Sequence, residues 1–224
     1  TAIGTARRGS SQTQVVGDTD LLRRGGQMSM RYPVIEVFTS VQGEGTFSGL
    51  GADFIRLAGC NLRCSWCDTV HSYDVAAATM LDAEEILAKW QFDQPIVVIT
   101  GGEPTLYDLG PLVQALKARG NFVTLETNGT NPVPAAWGID WITVSPKPDS
   151  DYVINCCVNE LKYVVDDNFS VDDIQADRVP PRHIYLQVES CKPESAARAV
   201  RIVTENPKLQ LRVGIQLHKV LNVE

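Results

Sequence analysis

Long hydrophobic runs are missing from this sequence. Nothing in it approaches the roughly 18 consecutive apolar residues that a membrane-spanning helix takes, so the chain reads as a soluble protein with no membrane partner. Positive charge is also in short supply. Lys and Arg number 20 against 27 Asp and Glu, giving a formal net charge of −7 and a pI near 5.0. A phosphate backbone is bound by clustered Lys and Arg, so a broad nucleic-acid surface is excluded and a small-molecule substrate fits better. A second metal-ligand pattern is absent as well. Of the six cysteines, three fall in one motif, while Cys156, Cys157 and Cys191 are scattered, the adjacent pair reading as buried thiols in a strand region. Such usage implies a reducing cytoplasm. Residues 1–29 lack apolar periodicity and are rich in Gly, Ser, Thr, Gln and Arg. They read as a disordered N-terminal extension or cloning remnant, leaving residues 30–224 as one domain with a single core.

What is present is organised around Gly59-Cys60-Asn61-Leu62-Arg63-Cys64-Ser65-Trp66-Cys67-Asp68-Thr69, which sets three thiols at a C-x3-C-x2-C spacing. Positions i, i+4 and i+7 fall on one side of the chain, so the thiolates converge on one ligand, iron or zinc. A structural zinc site wants four ligands, and His71 would complete it. A 4Fe-4S cluster held by three cysteines keeps one iron open for a cofactor. A second feature lies far away: Thr100-Gly101-Gly102-Glu103-Pro104, directly after Ile96-Val97-Val98-Ile99. A glycine pair at the end of a buried strand lets backbone approach a ligand closely.

Periodicity supplies the frame. Strands are predicted from Pro33 through Phe38, over 52–57, 96–100, 122–126, 141–144, 160–165 and 183–188, and from Leu209 to Gln216. Helices are predicted from Asp82, as N-cap, through Trp90, from about Asp108 to Arg119 with Gly120 as its left-handed stop, and from Pro193 to about Glu205. Strands that alternate with helices and are nearly continuous in apolar residues are parallel and covered. The expected fold is therefore α/β, a partial (incomplete) TIM-type barrel of parallel strands with outer helices, whose strand-end loops share one rim.

The triad, with aromatic Trp66 before its last cysteine, and the Gly-Gly-Glu-Pro stretch resemble the radical S-adenosylmethionine (SAM) superfamily. The resemblance implies a 4Fe-4S cluster on Cys60, Cys64 and Cys67, one-electron cleavage of SAM to methionine and a 5′-deoxyadenosyl radical, and a reductant such as flavodoxin or ferredoxin. It implies SAM contacts from Gly102 and Glu103, which hold the methionine amino group, and from Trp66, Cys67 and Asp68. Further SAM contacts are implied at Glu126, Thr127 and Asn128, at Ser145, Pro146 and Lys147, and at Gln187. Within the superfamily, Val41-Gln42-Gly43-Glu44-Gly45, Arg56, Cys67-Asp68-Thr69, Ser145-Pro146-Lys147 and the closing Gln216-Leu217-His218-Lys219 look like the 7-carboxy-7-deazaguanine synthase family, over residues 32–224. That family converts 6-carboxy-5,6,7,8-tetrahydropterin to 7-carboxy-7-deazaguanine with loss of ammonia, on the route to queuosine and other 7-deazapurines, and the resemblance implies a homodimer. Implied substrate contacts are Val41, Gln42, Gly43, Glu44, Arg56, Thr100, His218 and the chain-end Glu224, with Thr69 as Mg2+ ligand. Val41 stands where Leu is common, and the cluster loop is the short form.

The chemistry suits these roles. Glu44 accepts from the N–H edge of a pterin, Arg56 offers a planar fork to a carboxylate, and a hydroxyl joins Mg2+ among other oxygens. Two rivals stand beside this reading. A glycyl-radical-enzyme activase has a similar cluster loop but binds a protein segment; the loop at 42–45 and Arg56 favour a small anion. A zinc-stabilised interaction module using His71 would be colourless and indifferent to SAM.

Overall fold

The computed structural model describes residues 22–24, 27–147, 150 and 153–223 of the chain. The proposed extension, residues 1–29, lies largely outside these; within it β1 (Leu22–Arg24) pairs antiparallel with β2 (Gln27–Ser29). Then follow β3 (Arg31–Val41), β4 (Gly51–Leu57), β5 (Thr79–Asp82), α1 (Ala83–Lys89), β6 (Ile96–Gly101), α2 (Gly110–Ala118), β7 (Phe122–Thr127) and β8 (Trp141–Val144). The chain continues with β9 (Glu160–Val165), β10 (Ile184–Val188), α3 (Pro193–Glu205), β11 (Arg212–Gly214) and α4 (Leu217–Leu221). No described helix is long and apolar enough to cross a membrane.

The main sheet has nine strands in the order β11-β10-β9-β8-β7-β6-β4-β3-β5, and every pairing from β4 to β11 is parallel. It stays open, with β11 and β5 at its edges, as a partial barrel does. Side chains alternate across it. Ile55, Leu57, Ile99, Leu125, Leu161, Tyr163 and Leu186 join Leu112, Val113 and Leu116 of α2 in one buried apolar cluster. Their neighbours in sequence, Arg56, Thr100, Glu126, Lys162 and Gln187, line cavities on the other face. The outer face thus makes the core and the inner face is reserved for polar work.

Departures from the expected frame have local causes. β3 runs antiparallel to β4, pairing Phe38 with Phe54 and Glu36 with Arg56. The loop of residues 42–50 is too short for the crossover that a parallel pair needs, and Gln42 N–H to Leu50 O at 2.7 Å closes it as a hairpin. β5, four residues with no apolar period, was invisible to periodicity; it pairs with the start of β3. Asp82 caps α1 as expected: its carboxylate accepts from Glu85 N–H at 2.9 Å while Glu85 accepts from Asp82 N–H at 3.0 Å. α2 starts later than Asp108, whose side chain instead takes the Gly110 N–H at 3.0 Å. The last predicted strand shrinks to Arg212–Gly214, because Pro207–Leu209 forms a 3-10 turn and Gln210 takes a left-handed φ of 52°. Cys156 is buried but Cys157 is exposed, and both lie in the loop before β9, not in a strand.

Candidate active site

The cluster loop begins where β4 ends. Gly59 has φ +89°, donates its N–H to Ser72 O at 2.7 Å and accepts from Glu103 N–H at 2.8 Å, which ties the loop's first residue to the end of β6. A Cβ on Gly102 would lie 2.1 Å from Gly59 O and 2.9 Å from Cys60 Cβ; one on Gly101, at φ +149°, would lie 2.1 Å from Leu57 O. The glycine pair therefore lets two stretches of backbone meet, the strand end and the cluster loop. Cys60, Cys64 and Cys67 are half-buried thiols outside any disulfide, and they line one cavity of about 960 Å³ of open space. Burial pushes the Cys60 thiol up, partly offset by the Leu62 N–H that its sulfur accepts at 3.4 Å.

The rest of that cavity comes from strand ends: Thr100 and Gly102, Glu126 with Thr127 and Asn128, Ser145 and Lys147, and Gln187. Trp66, Asp68 and Thr69 enter from the cluster loop itself. Lys147 Nζ donates to Ser145 Oγ at 2.8 Å and to Ser145 O, and lies 5.2 Å from the centre of the Trp66 ring. Burial brings this ammonium down to about 8, opposed by the nearby Cys64 sulfur. Gln187 is 2% exposed, and its Oε1 has no hydrogen-bond partner among the described residues. A buried carbonyl left without a donor is costly and marks a place where a bound group completes the bonding. Three thiols on one cavity, together with that acceptor, fit a three-cysteine 4Fe-4S cluster and a polar cofactor beside it. His71 does not complete a zinc set: it is exposed, with its Nε2 3.7 Å from Glu36.

A second cavity, with about 720 Å³ of open space, adjoins the first and shares Glu44, Asp68, Thr69, Thr100, Glu126, Lys162 and Gln216 with it. It gathers the expected substrate residues Val41, Gln42, Gly43, Glu44, Arg56, Thr100 and His218. Gly43 has a further reason to be glycine: a Cβ there would lie 2.0 Å from His218 Nδ1, so it makes room for the imidazole. Leu217 N–H donates to Gly43 O at 2.9 Å in the same contact. Arg56 Nε donates to Glu36 at 2.5 Å, and its guanidinium carbon stands 5.7 Å from the Phe38 ring centre.

Between the cavities stands a charged network. Lys162 Nζ donates to Glu44 Oε2 at 2.5 Å and to Glu126 Oε2 at 2.6 Å; Gln42 Nε2 donates to Glu126 Oε1 at 3.2 Å. Gln216 Nε2 reaches both Glu44 Oε1 and Asp68 Oδ2 at 2.9 Å, and Lys219 Nζ meets Asp68 Oδ2 at 2.5 Å. Burial alone would raise the Glu44 carboxyl, but Lys162 outweighs it and holds the group below the usual carboxylate range. Likewise burial is overcome at Asp68 by Lys219 and Gln216, and its carboxyl stays well below that range. Thr69 Oγ1 donates to Asp68 Oδ1 at 3.1 Å.

Two expected residues line neither cavity. Glu103 is fully buried and away from both cavities, accepting from Thr105 N–H and Oγ1, Thr127 Oγ1 and Asn128 N–H at 2.6–3.0 Å. It braces the loops after β6 and β7. Pro146 is buried and lines a third cavity, which Cys64, Ser65 and Trp66 of the cluster loop also border, and Glu224 lies outside the described residues. Sequence reasoning missed Lys162. The signal was there: a lysine inside Glu160-Leu161-Lys162-Tyr163-Val164-Val165, an otherwise covered strand, has to be paired.

A partial barrel with a three-cysteine loop after its first parallel strand and a glycine pair after the next defines a radical SAM protein, and the Radical SAM superfamily model matches residues 54–153. Curated relatives narrow this. The 7-carboxy-7-deazaguanine synthase of Bacteroides thetaiotaomicron is 37% identical over 196 residues, 87% of this chain and 100% of that protein. The one of Escherichia coli (strain K12) is 33% identical over 226 residues, 87% and 100% of the two chains. A crystal structure of QueE from Escherichia coli superposes with a TM-score of 0.66 at 29% identity, covering 84% of this chain and 95% of that one. The chain belongs to the 7-carboxy-7-deazaguanine synthase family. The activase and zinc-module readings are set aside on the same grounds.

Proposed function

We propose that this protein converts 6-carboxy-5,6,7,8-tetrahydropterin to 7-carboxy-7-deazaguanine with release of ammonia. The observation that carries the reading is the pair of adjoining cavities, one lined by the three thiols and the other by Arg56, Glu44 and His218, with a shared wall between them. Cys60, Cys64 and Cys67 would hold the 4Fe-4S cluster. Trp66, Gly102, Ser145, Lys147 and Gln187 would enclose SAM. When bound, the cluster and SAM supply the radical that removes a hydrogen atom from the substrate.

The chain's own residues bind, orient and keep water out. Glu36 fixes the Nε side of Arg56 and Phe38 covers a face, so the guanidinium is already ordered to receive the substrate carboxylate. Glu44 is held ionised, and each of its oxygens keeps a lone pair for the pterin N–H edge beyond the bonds from Lys162 and Gln216. Turnover of the carboxypterin by reconstituted protein with SAM and a reductant, read by product mass, tests the assignment. Arg56→Lys keeps charge but loses the fork, and should weaken carboxypterin binding about ten- to a hundredfold. Unchanged affinity in this variant would remove Arg56 from the site.

Mg2+ belongs to this reading at Thr69, which lines both cavities. Its hydroxyl would join substrate oxygens and water around an ion that demands tight octahedral geometry. Thr69→Val is nearly isosteric. It should keep cluster and SAM binding and lose the response of turnover to added Mg2+ after chelation; an unchanged activation curve would place the ion elsewhere. A flavodoxin- or ferredoxin-type donor and a cytoplasmic setting go with the cluster. Exposed Val213, Ile215, Val220, Leu221 and Val223 around β11 and α4 support a homodimer.

A further inference from the structure

We propose that Lys162 is the positioning residue that joins the two cavities, one ammonium holding Glu44, assigned to the substrate, and Glu126, assigned to SAM, in the wall that the cavities share. The inference rests on the assignment of those cavities to carboxypterin and SAM. Lys162 is 8% exposed, lies at the middle of β9 and lines both cavities. Its nitrogen holds a carboxylate oxygen from the loop after β3 at 2.5 Å and another from β7 at 2.6 Å. Two residues 82 apart in sequence, Glu44 and Glu126, are thereby fixed relative to each other through one atom. Reacting atoms have to be held about 3–3.5 Å apart for transfer, and a displacement of about 1 Å costs on the order of a hundredfold in rate. A spacer between the two binding carboxylates sets that separation.

Glu160 faces Lys162 from lower on β9, Lys147 from the loop after β8, and His218 from α4. Without Lys162, Glu44 and Glu126 would face each other across a half-buried wall with no bridging cation, and would move apart or share a proton. Lysine suits this place because its ammonium has three rotatable donors, two of which the carboxylates occupy.

A purely structural ion pair would behave differently in a double-mutant cycle. Binding of 6-carboxy-5,6,7,8-tetrahydropterin without SAM, and of SAM without pterin, is measured anaerobically by calorimetry on reconstituted protein. Lys162→Met should weaken each ligand by about tenfold or more. In a Glu44→Gln background the same change should cost pterin affinity less than about twofold, and in a Glu126→Gln background SAM affinity likewise, because the route of the effect is already cut. Lys162→Arg, still cationic, should recover most of both affinities. Where Lys162→Met does not fold, Lys162→Gln carries the same cycle. Equal losses in both backgrounds, or no loss in the single variant, would overturn the proposal. Wild-type protein that bound SAM but not the pterin would refute the substrate assignment instead, and the Glu126 arm would still decide the role of Lys162.

Discussion

Cys64→Ala protein, reconstituted anaerobically with iron and sulfide, should fold, lack the brown chromophore of a full cluster, and cleave no SAM. The expectation follows from the ligand count. Three thiols line the cavity and the nearest histidine of the loop, His71, is turned toward Glu36 instead, so no described side chain stands ready to replace a lost sulfur. Thiolates are also the ligands that iron–sulfur clusters select. Cys156→Ala, Cys157→Ala and Cys191→Ala, which alter thiols outside that cavity, should each keep full iron content. Iron and sulfide per chain, with the visible spectrum, decide the matter; a full cluster in the Cys64→Ala protein would refute the three-cysteine site.

Gly102→Ala should be nearly as damaging, although it adds a single methyl group. That carbon would stand 2.1 Å from Gly59 O and 2.7 Å from Gly59 C, both backbone atoms of the cluster loop and unable to swing aside. Either the loop or the end of β6 has to shift, and overpacking of this kind costs about 1–3 kcal/mol. The larger effect is local, since Cys60 Cβ is 2.9 Å away and any shift carries the first cluster ligand with it. Iron occupancy should drop severalfold and SAM affinity with it. Gly49→Ala is the control: at φ +92° it is strained, but nothing lies within 4 Å, so it should lower the melting temperature without touching the cluster. A Gly102→Ala protein with full iron and wild-type SAM affinity would show that the close approach is dispensable.

The parts of the fold legible in sequence were those with strong local signals. β6 and β10 are mostly apolar and α1 starts at a capping Asp82, so each was found in place. The antiparallel sense of β3 was not legible from its composition, being fixed by the length of the loop to β4. β5 and α4 are too short to show a period, and their pairing partners are far away in sequence. In the site, the cysteines and most strand-end residues were legible because motif spacing survives in one dimension. The bracing bonds of Glu103 were not legible, because a motif fixes identity but not direction: its carboxylate takes four donors from its own and the next loop. Lys162 was missed because its two partners, in the loop after β3 and on β7, are far away in sequence: a lysine in a covered strand says that it is paired but not with what.

The crossing between the chain's two ends of the domain has a consequence for the order in which the molecule forms. From β4 to β11 each parallel strand lies next to its predecessor in sequence, so the sheet can grow by successive short closures. The bonds that finish the site are different in kind. Gln216 to Glu44 spans 172 positions, and Lys219 to Asp68 spans 151. Loop entropy rises only as the logarithm of length, about 0.6 kcal/mol per doubling, so this closure is affordable, but it has no partner strand to template it and must wait for β11. Folding and competence are therefore separate events in this chain: the scaffold is assembled neighbour by neighbour, and the chamber that does the chemistry is sealed last, by its most distant contacts.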